Sequence, residues 1–205
     1  MHIEATKKGQ AMEIRIALVL MAFCICGCSE KHKEPDFRNT NWGITSDQVK
    51  ILEREKLVLD NGKMLSYEGT VGSLPCQIVY LFVKNQLTAS HYFFKAEHAA
   101  DSLHIHDYEM LKEAISEKYG GPRLDDATWK DDTYRGSGEK VGLAIRSGHL
   151  KLAAQWETPA TEVWLFLVGE NSEIKLSMKY VSKLLGGIKE EETKEAQSDP
   201  KPNDF

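Results

Sequence analysis

Glu173-Ile-Lys-Leu-Ser-Met-Lys-Tyr180 alternates polar and apolar residues, and the same alternation runs through Leu150-Lys-Leu-Ala-Ala-Gln-Trp156-Glu157. Successive side chains of a β-strand point to opposite faces of the sheet, so each segment predicts a strand with one buried face and one wet face. Strands of this kind are typical of antiparallel sheets.

Turn residues between apolar runs predict that these strands are joined as hairpins. Asn61-Gly62 separates residues 57–60 from 63–68, and Asn-Gly tolerates the positive φ angles of a type I′ turn. Lys84-Asn85 separates 76–83 from 87–94, and Gly169-Glu-Asn-Ser172 separates 163–168 from 173–180. Two further strands are predicted, at residues 128–130 and at Val141–Arg146. Such a series indicates an antiparallel meander.

Two helical segments interrupt the strands. Thr45-Ser-Asp-Gln48 is a capping box that predicts a helix to about residue 55. Asp107 is placed to cap a second helix, which Gly120-Gly121-Pro122 ends. The resulting fold class is α+β, an antiparallel sheet with two helical segments. The order helix, strands, helix, strands also predicts a tandem helix–meander repeat, with halves 39–98 and 99–185.

The amino terminus has the features of a lipoprotein signal peptide. A basic segment and a short apolar run precede Ile25-Cys26-Gly27-Cys28, and that run is too short to cross a bilayer. We therefore expect cleavage after residue 27, lipid (including palmitate) on Cys28, and a polar tether over 28–38. Two alternatives are an uncleaved anchor and a metal site formed by the cysteines that precede and include Cys28, although thiolate ligands require a folded, polar cage.

The signal predicts where the protein is located. The domain would lie outside the cytoplasm, held on a bacterial membrane by its lipid. Ser29 is not the Asp that retains many lipoproteins at the inner membrane, so a Gram-negative host would place the protein at the outer membrane, facing the periplasm. Met12 is an alternative start to Met1.

The composition limits the partners of the domain. The chain has 205 residues and a net charge of −5, without a basic stripe, which argues against nucleic acid as a partner. Residues 39–185 suit one domain, and the charged segment 186–205 predicts a disordered tail. Cys76 would then be the one cysteine of the mature domain that carries no lipid, and its apolar neighbours predict a small buried side chain.

Phe37-Arg-Asn-Thr-Asn-Trp42-Gly43-Ile44-Thr45, followed by Val49 and Glu53, resembles the opening of a family of uncharacterised bacterial lipoproteins with an F…WG[MI][ST] motif. The later Tyr119-Gly120-Gly121-Pro122 resembles a YG-x-P motif of the same family. A more distant likeness is to small outer-membrane-assembly lipoproteins of the SmpA/OmlA type and to domains like the beta-lactamase inhibitor protein. These resemblances imply a helix followed by an antiparallel sheet, and they imply no catalytic residue.

Three groups of residues are candidates for chemistry or binding. His104-Ile105-His106, with His98, Asp101 and Asp107, is the best metal candidate, because alternate residues of an extended segment share a face. Its position at a helix entrance favours caps and solvated loop, so we predict no metal site and no cofactor. Ser147-Gly148-His149 has no nucleophile motif around it and predicts a hairpin turn.

Large aromatic residues are the third group. We expect Trp156 in the core, on the apolar face of its strand. Trp129 has polar neighbours and, together with Tyr134, is a candidate for an exposed binding surface.

Three classes of function remain open, in order of preference. The first is a non-enzymatic envelope module that binds another protein through a sheet face or an edge strand. The second is a carrier or sensor of a small apolar ligand, which requires an enclosed apolar cavity. The third is an enzyme, which requires histidines and carboxylates with perturbed pKa values in one cleft. Since no partnered nucleophile or base is evident, no catalytic residue is predicted.

Overall fold

The computed structural model describes residues 34–185, which form one eight-stranded antiparallel sheet and three α-helices. The predicted class, α+β with an antiparallel sheet, is confirmed. In chain order the elements are α1 (Ser46–Leu52), β1 (Lys56–Asp60), β2 (Met64–Val71), β3 (Leu74–Val83), β4 (Gln86–Phe94), α2 (Asp101–Tyr119), β5 (Leu124–Trp129), α3 (Val141–Arg146), β6 (Leu150–Glu157), β7 (Thr161–Glu170) and β8 (Glu173–Ser182).

The strand order across the sheet is β1-β2-β3-β4-β8-β7-β6-β5. Each set of four consecutive strands is therefore a meander, and the two meanders join where β4 pairs with β8, with Ala89 opposite Val181 and Tyr92 opposite Met178. This arrangement leaves β1 and β5 as the two edges of the sheet.

The core lies on one face of the sheet. The helices each bury apolar side chains against that face, among them Val49 of α1, Leu111 of α2 and Ile145 of α3. Trp156 is buried there, as predicted, and so is Cys76. Desolvation raises the pKa of the Cys76 thiol to about 11, which makes it an unreactive apolar side chain. The three helices contact this face, and the buried residues of the opposite face, among them Ser66, Val79 and Ala153, are small or aliphatic.

Local signals explain most of the element ends. The Thr45 capping box is formed in both directions, and Gly120 ends α2 with φ of 85°. Both residues of the Lys84-Asn85 turn have positive φ, as do Asn171 and Ser172 between β7 and β8. A tight turn of this kind matches the right-handed twist of the flanking strands.

The turn at Asn61-Gly62 joins two strands as predicted but has a different geometry. Gly62 has positive φ, whereas Asn61 does not. The Asn61 side chain instead accepts hydrogen bonds from the backbone N–H groups of Lys63 and Met64, at 3.1 and 2.8 Å. The hairpin prediction is confirmed, and the type I′ prediction at this site is wrong.

The prediction of a strand at Val141–Arg146 is also wrong, since this segment is helix α3. Its buried residues are Gly142, Ala144 and Ile145, while Leu143 is exposed. Ser147-Gly148-His149 consequently connects a helix to β6 rather than two strands. Gly148 has φ of 72°, and its N–H donates to the Ile145 carbonyl oxygen.

The predicted start of the second helix is wrong as well. Helix α2 begins at Asp101, and Asp107 lies inside it, buried and hydrogen-bonded to His98. The strand predicted at 128–130 corresponds to β5, which begins earlier, at Leu124, and ends at Trp129.

The end of the predicted tether belongs to the folded domain. Phe37 is buried, and its ring lies 5.4 Å from that of Tyr80 and 5.0 Å from that of Tyr180, measured between centroids. Arg38 binds Glu53 through two hydrogen bonds, at 2.8 and 3.1 Å. The predicted boundary at residue 38 is therefore too late, while residues 28–33 of the predicted tether lie outside the described residues.

Glu53 is the centre of a buried polar network below α1. Besides the two bonds from Arg38, its carboxylate accepts the Tyr80 hydroxyl at 2.5 Å and the backbone N–H groups of Arg54 and Glu55. Burial by itself would raise the pKa of Glu53, but the hydrogen bonds from Tyr80 and Arg38 outweigh it, so the pKa lies below its ordinary value. The carboxylate is therefore ionised and fully partnered.

We predict that Glu53→Ala destabilises the domain by about 3 kcal/mol, because it removes the acceptor of the Tyr80 hydroxyl and leaves the Arg38 guanidinium with the longer contact to Glu55, at 3.4 Å. Urea unfolding monitored by tryptophan fluorescence measures this loss. The matched control is Glu68→Ala, which removes an exposed ion pair to Lys56 at 3.1 Å and should cost less than about 1 kcal/mol. Equal losses in the two variants would contradict a central role for Glu53.

Candidate functional site

The uncovered face of the sheet carries aromatic and cationic side chains at its centre. On β7, Val163, Leu165 and Leu167 are buried in the core, so the intervening Trp164 and Phe166 point to the other face. On β4, His91 and Phe93 point to that same face, because they pair in register with Lys179 and Ser177 of β8, which in turn pair with Trp164 and Phe166. We call these six residues the open-face cluster: Trp164, Phe166, His91, Phe93, Ser177 and Lys179.

The aromatic rings of the open-face cluster form two stacked pairs. Trp164 and Phe166 have centroids 5.6 Å apart and planes 9° apart. His91 and Phe93 have centroids 5.5 Å apart and planes 26° apart. Phe93 is 44% exposed, a high value for phenylalanine in a strand that is not at the sheet edge. Rings that are held in place and partly exposed supply apolar contact area at a low entropic cost.

β8 separates the two aromatic pairs with a small residue and a cation. Ser177 lies between Phe166 and Phe93, and Lys179 lies between Trp164 and His91. A second cation, the Lys151 Nζ, lies 4.7 Å from the centroid of the Phe166 ring. The centre of this face thus combines two lysines with aromatic rings, and a carboxylate lies beside it, because Trp164 Nε1 donates to Glu162 Oε2 at 3.4 Å.

Trp129 and Tyr134, the residues predicted for a binding surface, lie elsewhere. Both are partly buried and pack against the core. Trp129 pairs with Leu150 across β5 and β6, and the Tyr134 ring stacks on His149 with centroids 5.3 Å apart. The structure brings these two residues to the same end of the sheet, on its covered side.

The histidines predicted to share a face are separated. Residues two positions apart in a helix point in different directions, so His104 is buried while His106 is exposed. His104 instead contacts His98, with ring centroids 4.7 Å apart, and His98 Nε2 lies 2.5 Å from Asp107 Oδ2. Across residues 34–185, no group of three histidine, cysteine or acidic side chains has a geometry that could hold a metal ion.

Asp101 is the remaining member of that candidate group. Its carboxylate binds the Arg146 guanidinium and so ties the first turn of α2 to α3. Gly142 makes this approach possible, since a side chain there would overlap the Asp101 Cβ. The two acidic residues of this group, Asp101 and Asp107, therefore hold α2 in place through Arg146 and His98.

Two open clefts lie beside α2. A cleft of about 460 Å³ is lined by charged and polar side chains that include Lys95, His98, His104 and Arg146. A second one, of about 360 Å³, is lined mainly by residues of α2, among them His106 and Lys112, together with Asp125 of β5. The lining of the larger cleft suits a polar rather than an apolar ligand.

The lipidation site Cys28, the signal peptide at 1–27 and the tail at 186–205 lie outside the described residues. In the part of the chain that the structure does describe, no helix is long and apolar enough to cross a membrane.

Sequence reasoning missed the open-face cluster for a specific reason. Residues 163–168 are apolar at every position, so the segment shows no alternation that would separate a buried face from an exposed one. The signal that could have located the cluster is the pairing partner. Lys175, Ser177 and Lys179 mark the wet face of β8, and the neighbouring strands must share it.

Comparison with known proteins adds no relative. No protein-family model matches the chain, and neither a curated protein nor a solved structure matches it significantly.

We predict that acidification weakens the domain through His104. Burial, and next the charge of His98, lower the pKa of His104 below its ordinary value of 6.5, while Asp107 and Asp101 oppose this effect and Arg146 adds to it. When the pKa of a histidine is lower in the folded than in the unfolded state, its full contribution to the free energy of unfolding is present above pH 6.5. This contribution is lost as the pH falls towards the folded pKa.

Thermal melts at pH 7.5 and pH 5 measure this effect. Replacing His104 by Gln should reduce the loss of Tm on acidification, whereas His106→Gln, on the exposed side of the same helix, should leave the loss as it is in the wild type. An unchanged pH dependence in His104→Gln would show that other groups account for the acid sensitivity.

Proposed function

We propose that this protein is a membrane-anchored lipoprotein on the extracytoplasmic side of a bacterial membrane, and that it binds another envelope protein without catalysing a reaction. The observation that carries the binding part is the open-face cluster. In a sheet with all described helices on one side, it presents two stacked aromatic pairs and a lysine to solvent.

The proposed partner is a protein whose contact surface has carboxylates around an exposed apolar side chain. The apolar side chain would fit above Ser177, between Phe166 and Phe93, and the carboxylates would lie near Lys179 and Lys151. Aromatic anchors surrounded by charge are the arrangement that gives protein interfaces both affinity and orientation.

The anchoring part of the proposal depends on the sequence at Ile25-Cys26-Gly27-Cys28. A diacylglyceryl group on Cys28 would hold the domain at the bilayer, and Ser29 favours the outer membrane in a Gram-negative host. Two or more acyl chains give firm attachment where one gives only marginal binding.

The proposal includes a tandem repeat of two helix–meander halves, 39–98 and 99–185. The strand order supports this relation, because the fourth strand of the first meander, β4, pairs with the fourth strand of the second meander, β8. Helix α3, inserted between β5 and β6, has no counterpart between β1 and β2. The two halves would then have diverged in their helical layer and retained the sheet.

We predict that Lys179→Glu reduces capture of the partner by about ten-fold, because it places a carboxylate opposite the carboxylates of the partner. Cross-linking in cells, followed by purification of the full-length chain and mass spectrometry, measures the yield of each captured protein. The matched control is Lys63→Glu, the same charge change in the β1–β2 turn, which should retain the wild-type yield.

Two results of that experiment would contradict the binding proposal. One is the absence of a protein that the wild type captures reproducibly. The other is equal capture by the two variants, which would exclude the open-face cluster as the contact surface. Thermal melts of both variants show whether a loss of capture comes from unfolding.

We predict that an alkyne analogue of palmitate labels the wild-type protein and not Cys28→Ser, because the thiol is the acceptor of the lipid. In-gel fluorescence after metabolic labelling measures the incorporation. Cys76→Ser is the matched control and should be labelled like the wild type, since Cys76 is buried in the core. An unlabelled wild type, or a labelled Cys28→Ser, would contradict anchoring at this cysteine.

A further inference from the structure

Exposed apolar side chains are concentrated at one edge of the sheet. Of the eleven large apolar residues that are exposed within residues 34–185, five lie between positions 51 and 59. We call these five the edge patch: Ile51 and Leu52 at the end of α1, and Leu57, Val58 and Leu59 of edge strand β1. Apolar residues that are scattered singly over a surface need no explanation, whereas a group of this density marks an interaction site.

A β-bulge in β1 gives the edge patch its shape. Leu57 lies opposite the core residue Tyr67 and points to the side of the sheet that the helices cover, whereas Leu59 lies opposite Ser66 and points to the open side. Val58 lies at the bulge between them. The apolar side chains therefore surround the edge on both sides. A bulge interrupts the regular ladder that an added strand requires, whereas a fluid apolar phase can contact both sides of the edge without a register.

The charged side chains at the two ends of β1 are already paired. Lys50 of α1 lies 2.6 Å from Asp60, and Lys56 lies 3.1 Å from Glu68. Residues 47–63 contain four acidic and four basic residues, so the surroundings of the edge patch are electrically balanced on a chain whose net charge is −5. Such a surface is not repelled by anionic headgroups, and apolar contact rather than charge would bind it to lipid.

The chain enters the domain next to the edge patch. Glu53 directly follows α1 and Glu55 directly precedes β1, and both accept hydrogen bonds from Arg38, at 2.8 and 3.4 Å. The proposed lipid site at Cys28 lies six residues before Glu34, the first described residue. Because one residue spans at most about 3.6 Å, these six residues keep Glu34 within about 22 Å of Cys28. The edge patch is therefore on the part of the domain that the lipid holds near the bilayer.

We propose that the edge patch docks on the bilayer to which Cys28 is anchored, with its side chains at the boundary between headgroups and acyl chains. The proposal rests on the lipid anchor proposed above and adds a direct contact of the domain to it. The docking depth is limited to this boundary, because the unpaired backbone of an edge strand is not tolerated in hydrocarbon. A weak apolar contact suffices, since the anchor keeps the local concentration of lipid high.

Docking at this edge would set the position of the open-face cluster above the membrane. The strands that carry the cluster, β4, β8 and β7, are the fourth to sixth strands counted from β1. At about 4.8 Å per strand, the cluster would lie about 14–24 Å from the docked edge, measured along the sheet. The domain would thus present its binding face to a partner protein at a fixed height and orientation.

Site-specific fluorescence tests the docking. Full-length lipidated Val58→Cys, labelled with an environment-sensitive fluorophore and reconstituted into phosphatidylcholine vesicles, should show blue-shifted emission. Spin-labelled phosphatidylcholine should quench it about five-fold more than the same fluorophore at Leu103→Cys. Leu103 is the matched control, because it is an apolar residue of similar exposure (44%) on α2. The native Cys76 is buried and should remain unlabelled.

A charge in the edge patch tests whether apolar contact supplies the docking. In the Val58→Cys background, Ile51→Glu should reduce the quenching about three-fold, because a carboxylate is costly to place at the acyl boundary. The matched control is Leu184→Glu, which should leave the quenching unchanged. The two side chains are 81% and 82% exposed, so both variants should fold, and thermal melts verify this.

Vesicle flotation separates a failure of the docking from a failure of the anchor. Protein that floats with the vesicles but is quenched equally at Val58 and Leu103 would overturn the docking and leave the anchor intact, as would quenching that Ile51→Glu does not change. Protein that does not float would overturn both, because the docking rests on the anchor. A blue-shifted but unquenched fluorophore at Val58 would assign the edge patch to another protein or to a second copy of this chain.

Discussion

The pairing of β4 with β8 is the contact on which the rest of this structure depends. Without it the chain would contain two four-stranded meanders, each with an additional open edge. The pairing also creates a continuous core, because Phe37 contacts Tyr80 and Tyr92 of the first meander and Tyr180 of the second. Trp42 adds a polar contact across the junction, from its Nε1 to the Thr161 hydroxyl at 2.8 Å.

This junction explains the residues that resemble a lipoprotein motif. Phe37 contacts both meanders and Trp42 binds Thr161 of the second, while Glu53 anchors Arg38 and Tyr80. Gly43 has φ of 86° and donates its N–H to the Leu87 carbonyl oxygen, a conformation that favours glycine. The motif residues thus hold the amino-terminal segment against the sheet, and none of them contributes to the open face.

The sequence was most informative where local chemistry determines conformation. The Thr45 capping box, the Gly120 helix end and the turn at Lys84-Asn85 are each determined by a few adjacent residues. It was least informative at Val141–Arg146, because the five apolar or small residues before Arg146 suit a strand and a short helix equally well. There the tertiary contact decides, since helix α3 covers the core through Ala144 and Ile145 and is tied to α2 by Arg146.

The candidate site shows the same division between local and tertiary information. Trp129 has polar neighbours in the sequence, but it packs against the core, because β5 pairs it with Leu150. Trp164 has apolar neighbours and lies on the open face, because β7 places it opposite Lys179. The polar neighbours of Trp129 therefore did not indicate its side of the sheet, and the apolar neighbours of Trp164 gave no signal of its position on the open face. The strand register, which no single segment encodes, assigned them.

Aromatic residues on an exposed sheet face can stabilise the sheet itself rather than bind a partner. Cross-strand aromatic pairs stabilise sheets, and such pairing would account for the rings without any partner. In the open-face cluster, however, Phe166 lies opposite Ala153 and Ser177, and Trp164 lies opposite Gln155 and Lys179. Trp164 and Phe166 stack along their own strand, and the residues directly opposite them on β6 and β8 are not aromatic. The arrangement places a small residue, Ser177, between Phe166 and Phe93, and this is the feature on which the proposed binding function rests.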